Sequence, residues 1–136
     1  MYQHSHPVRI YYEDTDVSGV VYHANYLKYF ERAREHFLGP DEIVRLLQEE
    51  GIGFVVYKVE VTYKEGARLG DELEIRTRVE LESKYRVIFY QDVWRADRTS
   101  PLVASRIDLV AVNEEQKLVQ LLESVLSGMG ALERAP

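Results

Sequence analysis

Cysteine is absent from these 136 residues, which removes disulfides, zinc–thiolate sites, iron–sulfur clusters and cysteine nucleophiles together. Long apolar runs are missing too: none approaches the roughly 18 residues that a membrane-spanning helix needs. The stretch Met1 to Pro7 lacks the basic and apolar regions of a signal peptide. No membrane span and a cytoplasmic location are therefore the expectation. Positive charge is in deficit, 17 basic against 23 acidic residues for a net −6, which argues against a nucleic-acid partner held by bulk charge. What remains is an ordinary globular balance, 46 % apolar and 29 % charged, enough for a single domain over 1–136 with a real core. Tyrosine occurs ten times, and arginine outnumbers lysine 12 to 5.

The order of elements follows from periodicity. Val8 to Tyr12 is a short β-prone run ended by Glu13-Asp14-Thr15-Asp16 and Ser18-Gly19. From Ala24 to Leu38 the residues Tyr26, Leu27, Phe30, Ala33, Phe37 and Leu38 recur every three or four positions, a helix with one buried face that Gly39-Pro40 ends. A shorter helix fits Asp41 to Glu50, with Gly51 as its stop. The period then becomes two. In Val55-Tyr57-Val59-Val61-Tyr63 the odd positions are apolar, and Leu73 to Leu81 alternates with Glu and Arg. Tyr85 to Trp94 and Val103 to Asn113 supply two more strands, and Leu118 to Met129 reads as a closing helix, so the core spans about 8–113. Consecutive strands with short connections pair most simply as an antiparallel meander. The expected fold is α+β, a curved antiparallel sheet wrapped around one long helix, with strand edges that invite a second subunit.

The polar segment from Tyr12 to Tyr26 resists a purely structural account, and three uses compete for it. Asp14, Asp16, Ser18 and Gly19 fall at calcium-loop positions one, three, five and six, but Asn25 stands at the twelfth and a strand precedes the loop. Asp14 fits a cap or Asx-turn, a reading that suits Asp16 less well because several residues separate it from the helical pattern. Third, a carboxylate at a turn can attack a carbonyl carbon or activate water, and the N–H groups at a helix start can hold the resulting oxyanion.

The run YYEDTDVSGVVYHANYLKYFERARE resembles the N-terminal signature of the 4-hydroxybenzoyl-CoA thioesterase family, and VEVTYKEGARLGDEL, Val59 to Leu73, resembles the same family's branch associated with the Tol–Pal system. The similarity covers most of the chain, and the C-terminal 20 or so residues diverge. The resemblance implies a hot-dog fold and hydrolysis of an acyl-CoA to free coenzyme A and a carboxylic acid, with the coenzyme entering as substrate and no separate cofactor. It also implies a homo-oligomer, a dimer or a homotetramer built as a dimer of dimers. Position by position, Asp16 matches the family's catalytic carboxylate, as nucleophile or general base. The backbone N–H at His23 matches the group that polarises the thioester carbonyl, and Tyr12 and the His23 side chain match residues lining the site. Lys84, in the turn before the Tyr85 strand, matches a place where relatives put basic phosphate contacts.

Arg68 and Arg86 lie at a turn or strand start, where they too could meet coenzyme phosphates. The Arg76/Arg78 row alternates with glutamates and reads as ordinary surface. Glu31 reads as a solvated or paired side chain, His36 as a group favouring the end of the long helix, and His4 and His6 as part of a frayed terminus. Two alternatives accompany the hydrolase: a hydratase or dehydratase pairing Asp16 with His23, and a protein that binds acyl-CoA without turning it over.

Overall fold

A computed structural model describes residues 1–121, 123 and 125. Strand β1 is His4–Arg9, followed by a 3-10 turn at Tyr12–Asp14 and the long helix α1, Asn25–Leu38. Helix α2, Pro40–Arg45, runs on as one π turn, Leu46–Glu50. The strands β2 Gly53–Tyr63, β3 Glu72–Leu81, β4 Arg86–Arg95, β5 Val103–Val112 and β6 Leu118–Val119 complete the order. The sheet runs β1-β3-β4-β5-β2, every pair antiparallel, with β6 against β5. This is the hot-dog arrangement that the resemblance implied.

The helix sits where its periodicity placed it. Tyr26, Tyr29, Phe30 and Ala33 are buried on one stripe of α1 and join the core with Ile75, Val79, Phe89, Val93 and Ile107 from the concave face of the sheet. Gly39 ends the helix: its φ of 102° is open to few other residues, its N–H bonds to the carbonyl of Glu35 at 2.7 Å, and Pro40 starts α2. Under the helix lies a polar knot. Gln91, fully buried, donates to the carbonyl of Phe30 at 3.0 Å and to Thr77 Oγ1 at 3.2 Å, and its own carbonyl accepts from Ser105 at 2.6 Å.

Four expectations need correction. The first strand begins earlier and stops at Arg9, so Tyr11 and Tyr12 leave it for the 3-10 turn, where the backbone N–H of Tyr11 bonds to Asp14 at 2.7 Å. Strand β2 does not keep its odd positions inward throughout. A bulge between Val56 and Lys58 shifts the register, so Phe54 and Val56 pair across from Ala111 and Leu109 while Val59 and Val61 face Ile107 and Ser105. Leu118 opens a short strand, because the turn at Asn113 returns the chain onto β5. Glu123 and Val125 are helical, whereas Leu122 and Met129 of the expected closing helix lie outside the described residues.

The fourth correction concerns the N-terminal histidines, which belong to β1 and pack on α1. His6 stacks on His36 with ring centroids 4.5 Å apart, and His4 stacks on Phe37 at 5.1 Å. Burial, reinforced by His36, holds both imidazoles of β1 below the usual histidine range, with Arg32 adding to the effect at His6. A depressed histidine pKa contributes stability that is complete above the unfolded value near 6.5 and is lost as pH falls through the folded value. Thermal unfolding from pH 7.5 to 5 should therefore show the melting temperature falling on the acid side. His36→Gln, which removes the shared positive neighbour, should flatten that fall.

Candidate active site

The polar segment folds as a tight hairpin laid across the start of α1. Thr15 bridges Val21, the Asp16 N–H bonds to Val20 at 2.8 Å, and the Gly19 N–H returns to the Asp16 carbonyl at 3.0 Å. Gly19 has a φ of 83°, which the reversal of the chain requires. The hairpin is tied down on its far side. Val20 bridges Arg68, and the Val21 N–H bonds to the Ala67 carbonyl at 2.9 Å. Gly66 makes that approach possible, since a Cβ there would lie 2.9 Å from a methyl of Val20.

At the tip, Asp16 Oδ1 accepts from the Ser18 N–H at 2.8 Å and from the Ser18 hydroxyl at 2.6 Å. This is an Asx-turn, so Asp16 shapes its own loop just as Asp14 does. The Ser18 hydrogen bonds, with a smaller contribution from His23, hold the Asp16 carboxyl below the usual carboxylate range. It is exposed and ionised at neutral pH. Asp14 closes the 3-10 turn, and its carbonyl receives both the Tyr22 N–H and the Asn25 side chain at 2.9 Å. Asp14 and Asp16 thus serve separate turns, and among the described residues no three His, Asp or Glu side chains converge as metal ligands.

Helix α1 starts without a side-chain cap: Ala24 holds the cap position, and the N–H groups of His23 and Ala24 meet no acceptor among the described residues. The carbonyl of His23 accepts from the Tyr63 hydroxyl at 3.0 Å, and its ring lies 4.6 Å from Tyr22 and 6.2 Å from Tyr63. Tyr26 closes the floor and accepts from the Ala67 N–H at 3.2 Å. The result is an open cavity of about 270 Å³ lined by Asp16, Val20, His23, Tyr26, Tyr63 and Gly66. Chemically, it offers an ionised carboxylate, an imidazole and the donor end of a helix around one volume.

Of the residues singled out in the sequence, Asp16 and His23 come together here. Tyr12 is exposed on the 3-10 turn and does not line the cavity. Arg68 is adjacent, through its bridge to Val20. Lys84 and Arg86 lie at the opposite end of the sheet, beyond the last β3–β4 pair at Leu81 and Val87. Arg86 pairs there with Glu82 at 3.0 Å and lies over the Tyr57 ring at 4.5 Å. Tyr63 and Gly66 were missed. Both fall inside the second quoted motif, where a glycine between two buried contacts marks close backbone approach.

The model of the thioesterase-like superfamily matches residues 10–128. The chain is 44 % identical over 94 residues to the acyl-CoA thioester hydrolase YbgC of Escherichia coli, covering 68 % of this chain and 70 % of that protein. It is 45 % identical over 86 residues to the acyl-CoA thioesterase YbgC of Helicobacter pylori, covering 63 % of each. Among solved structures, a probable thioesterase from Bartonella henselae has a TM-score of 0.79 at 33 % identity, covering 88 % of this chain and 98 % of that one. A 1,4-dihydroxy-2-naphthoyl-CoA thioesterase from Synechocystis has a TM-score of 0.85 at 19 % identity, covering 96 % and 98 %, and speaks to the fold alone.

Ser18→Ala removes one of the two donors that hold Asp16 ionised. An NMR titration should then show the Asp16 carboxyl moving up toward the ordinary aspartate value while the amide spectrum stays folded. An unmoved titration would mean that the hydroxyl contributes nothing to the carboxylate.

Proposed function

The chain belongs to the thioesterase-like superfamily and is a thioester hydrolase, and on that premise we propose that it cleaves acyl-CoA with Asp16 as the reacting carboxylate. The observation that carries this reading is the shared cavity of Asp16 and His23 at the uncapped start of α1. With the thioester carbonyl near the His23 N–H, charge developing on its oxygen meets an unclaimed donor and the positive end of the helix. Asp16 then acts in one of two ways. It takes a proton from a water that adds to the carbonyl carbon, or it adds itself and leaves a mixed anhydride for water to open. Either way the C–S bond breaks, the thiolate of coenzyme A takes up a proton, and the acyl group leaves as a carboxylic acid. The reaction consumes only water, so no further cofactor enters the reading. A cytoplasmic setting, where coenzyme A thioesters are made and used, goes with it.

The His23 side chain stands close enough to lower the Asp16 pKa, which suits a group that steadies the carboxylate or hands a proton to the leaving sulfur. Tyr12 enters as a rim residue only. Arg68 is the proposed phosphate contact beside the cavity. Lys84 and Arg86 can share that task only through a second copy of the chain, and a second copy has a place to go. β2 is an edge strand, and it leaves Val55, Val56, Tyr57, Val59 and Tyr63 exposed. An open apolar edge of this length is a pairing surface. Antiparallel pairing of two β2 edges sets the Gly53 end of one copy beside the Tyr63 end of the other.

Asp16→Asn should keep the fold and lower thiol release from acyl-CoA by about 100-fold or more. Near-normal turnover by that folded variant would remove Asp16 from the chemistry. Light scattering at micromolar concentration should give a dimer or a dimer of dimers, and a monomer would refute the edge pairing.

A further inference from the structure

Two turns along α1 from the candidate active site, the same helix turns a cation toward the sheet. Arg34 donates to Gln91 Oε1 at 2.9 Å and lies 6.0 Å from the centre of the Phe89 ring. No carboxylate stands within salt-bridge distance of it among the described residues, and Glu31 acts only from further off. Burial pulls its pKa down to about 10, so the guanidinium stays charged at neutral pH while poorly solvated. Four of its five N–H donors meet no acceptor among the described residues. A withdrawn cation with one donor paired costs stability, and packing the helix does not require one.

The free donors have somewhere to act. Arg34 lines a half-enclosed cavity of about 190 Å³ between α1 and the sheet, walled by Ile43, Phe54 and Phe89. That volume is below the roughly 300–1,000 Å³ of pockets that enclose drug-sized ligands, so it suits a short chain. Glu31 and Glu35 line it as well, so a second anion would be repelled where a neutral oxygen would be welcomed. Arg34 lies eight residues beyond Tyr26, about 12 Å along the helix and out of reach of a short acyl chain held at the same copy's site, so a chain that meets it enters from the site of a second copy. Phe54 also marks the end of β2 that the proposed edge pairing sets beside the Tyr63 end of the second copy.

We infer that Arg34, steadied by Gln91, is the specificity-determining residue of the acyl pocket and selects a short acyl chain with a neutral hydroxyl or carbonyl oxygen near its far end. This rests on the thioesterase reading of the site above. The contact is present before and during the reaction, so it should appear mainly in KM.

Thiol release from hexanoyl-, 5-hydroxyhexanoyl-, 5-oxohexanoyl- and glutaryl-CoA tests it, with the unaltered chain, Arg34→Met and Arg34→Lys. The unaltered chain should favour the hydroxy and oxo substrates over hexanoyl-CoA by about tenfold or more in kcat/KM. Glutaryl-CoA should be the poorest of the four. In Arg34→Met the preference should collapse to within about twofold through a rise in KM for the oxygenated pair, and Arg34→Lys should restore part of it. If the methionine variant does not fold, the lysine variant carries the comparison, because it keeps the charge and loses the fork that reaches both Gln91 and the ligand. Equal rates for all four substrates, a preference for glutaryl-CoA, or a fall in kcat common to all substrates in the variants would overturn the inference alone. No thiol release from any acyl-CoA would overturn the thioesterase reading and this inference with it.

Discussion

Gln91 holds the helix and the sheet in register. Its amide reaches from β4 to the backbone carbonyl of Phe30, in the middle of α1, and to Thr77 on β3, while its oxygen accepts from Arg34. Apolar packing alone would let a helix slide or roll in a curved sheet, since dispersion and burial have little direction. A buried amide has direction. Leaving it unpaired costs on the order of 1–3 kcal/mol, so the helix is held at the one height and rotation that satisfies it. The placements of Tyr26 below and Arg34 above follow from that height. Both cavities along α1 depend on the same polar knot.

The start of α1 answers a second constraint. Most helices close their first turn with a Ser, Thr, Asp or Asn side chain at the cap. Here the acidic residues that could do so are used elsewhere: Asp14 closes the preceding 3-10 turn, and Asp16 binds Ser18. Asn25 turns its amide back onto the Asp14 carbonyl instead of serving the helix. The first turn is therefore tied down by the Tyr63 hydroxyl on the His23 carbonyl and by the Tyr22 N–H and the Asn25 side-chain amide on the Asp14 carbonyl, while the N–H groups of His23 and Ala24 meet no acceptor among the described residues. A helix end deprived of its cap is locally unfavourable, which makes it a good place to look for chemistry.

Much of this was legible in the chain. The stripe of Tyr26, Phe30 and Ala33 located the helix, and Gly39-Pro40 located its end, because local propensity and burial agree there. Asp16 stood among several open uses of the polar segment before the helix, and the resemblance to the thioesterase family is what carried Asp16 and His23 forward as candidates. The structural use of Asp16 was underrated, since an Asx-turn to Ser18 needs only two residues and leaves no trace in helical periodicity. Tyr63, Gly66 and the Arg34–Gln91 pair were not legible. Each matters through a partner 30 to 60 positions away: Tyr63 meets His23, Gly66 admits Val20, and Arg34 meets Gln91. Arg34 in particular falls at the helical spacing of the buried stripe, four residues after Phe30 and three before Phe37, but its charge, in the run Glu31 to Glu35, reads as solvent-facing.

The bulge in β2 shows why alternation alone misleads at the strand that matters most. Phe54 and Tyr63 are nine positions apart in the chain, an odd number, and an unbroken strand would send them to opposite faces. The extra residue between Val56 and Lys58 reverses the parity, so Phe54 walls one cavity and Tyr63 the other, both on the concave side. Tyr57 is the residue displaced: it lies on the outer face under Arg86, exposed although aromatic. The sequence hides this, because Val55 and Tyr57 are as apolar as Val59 and Val61 and continue the odd pattern across the break. Both stretches of β2 can face α1 only because one residue is left out of the ladder. The bulge is therefore part of the site: without it, a strand long enough to reach both cavities would line just one.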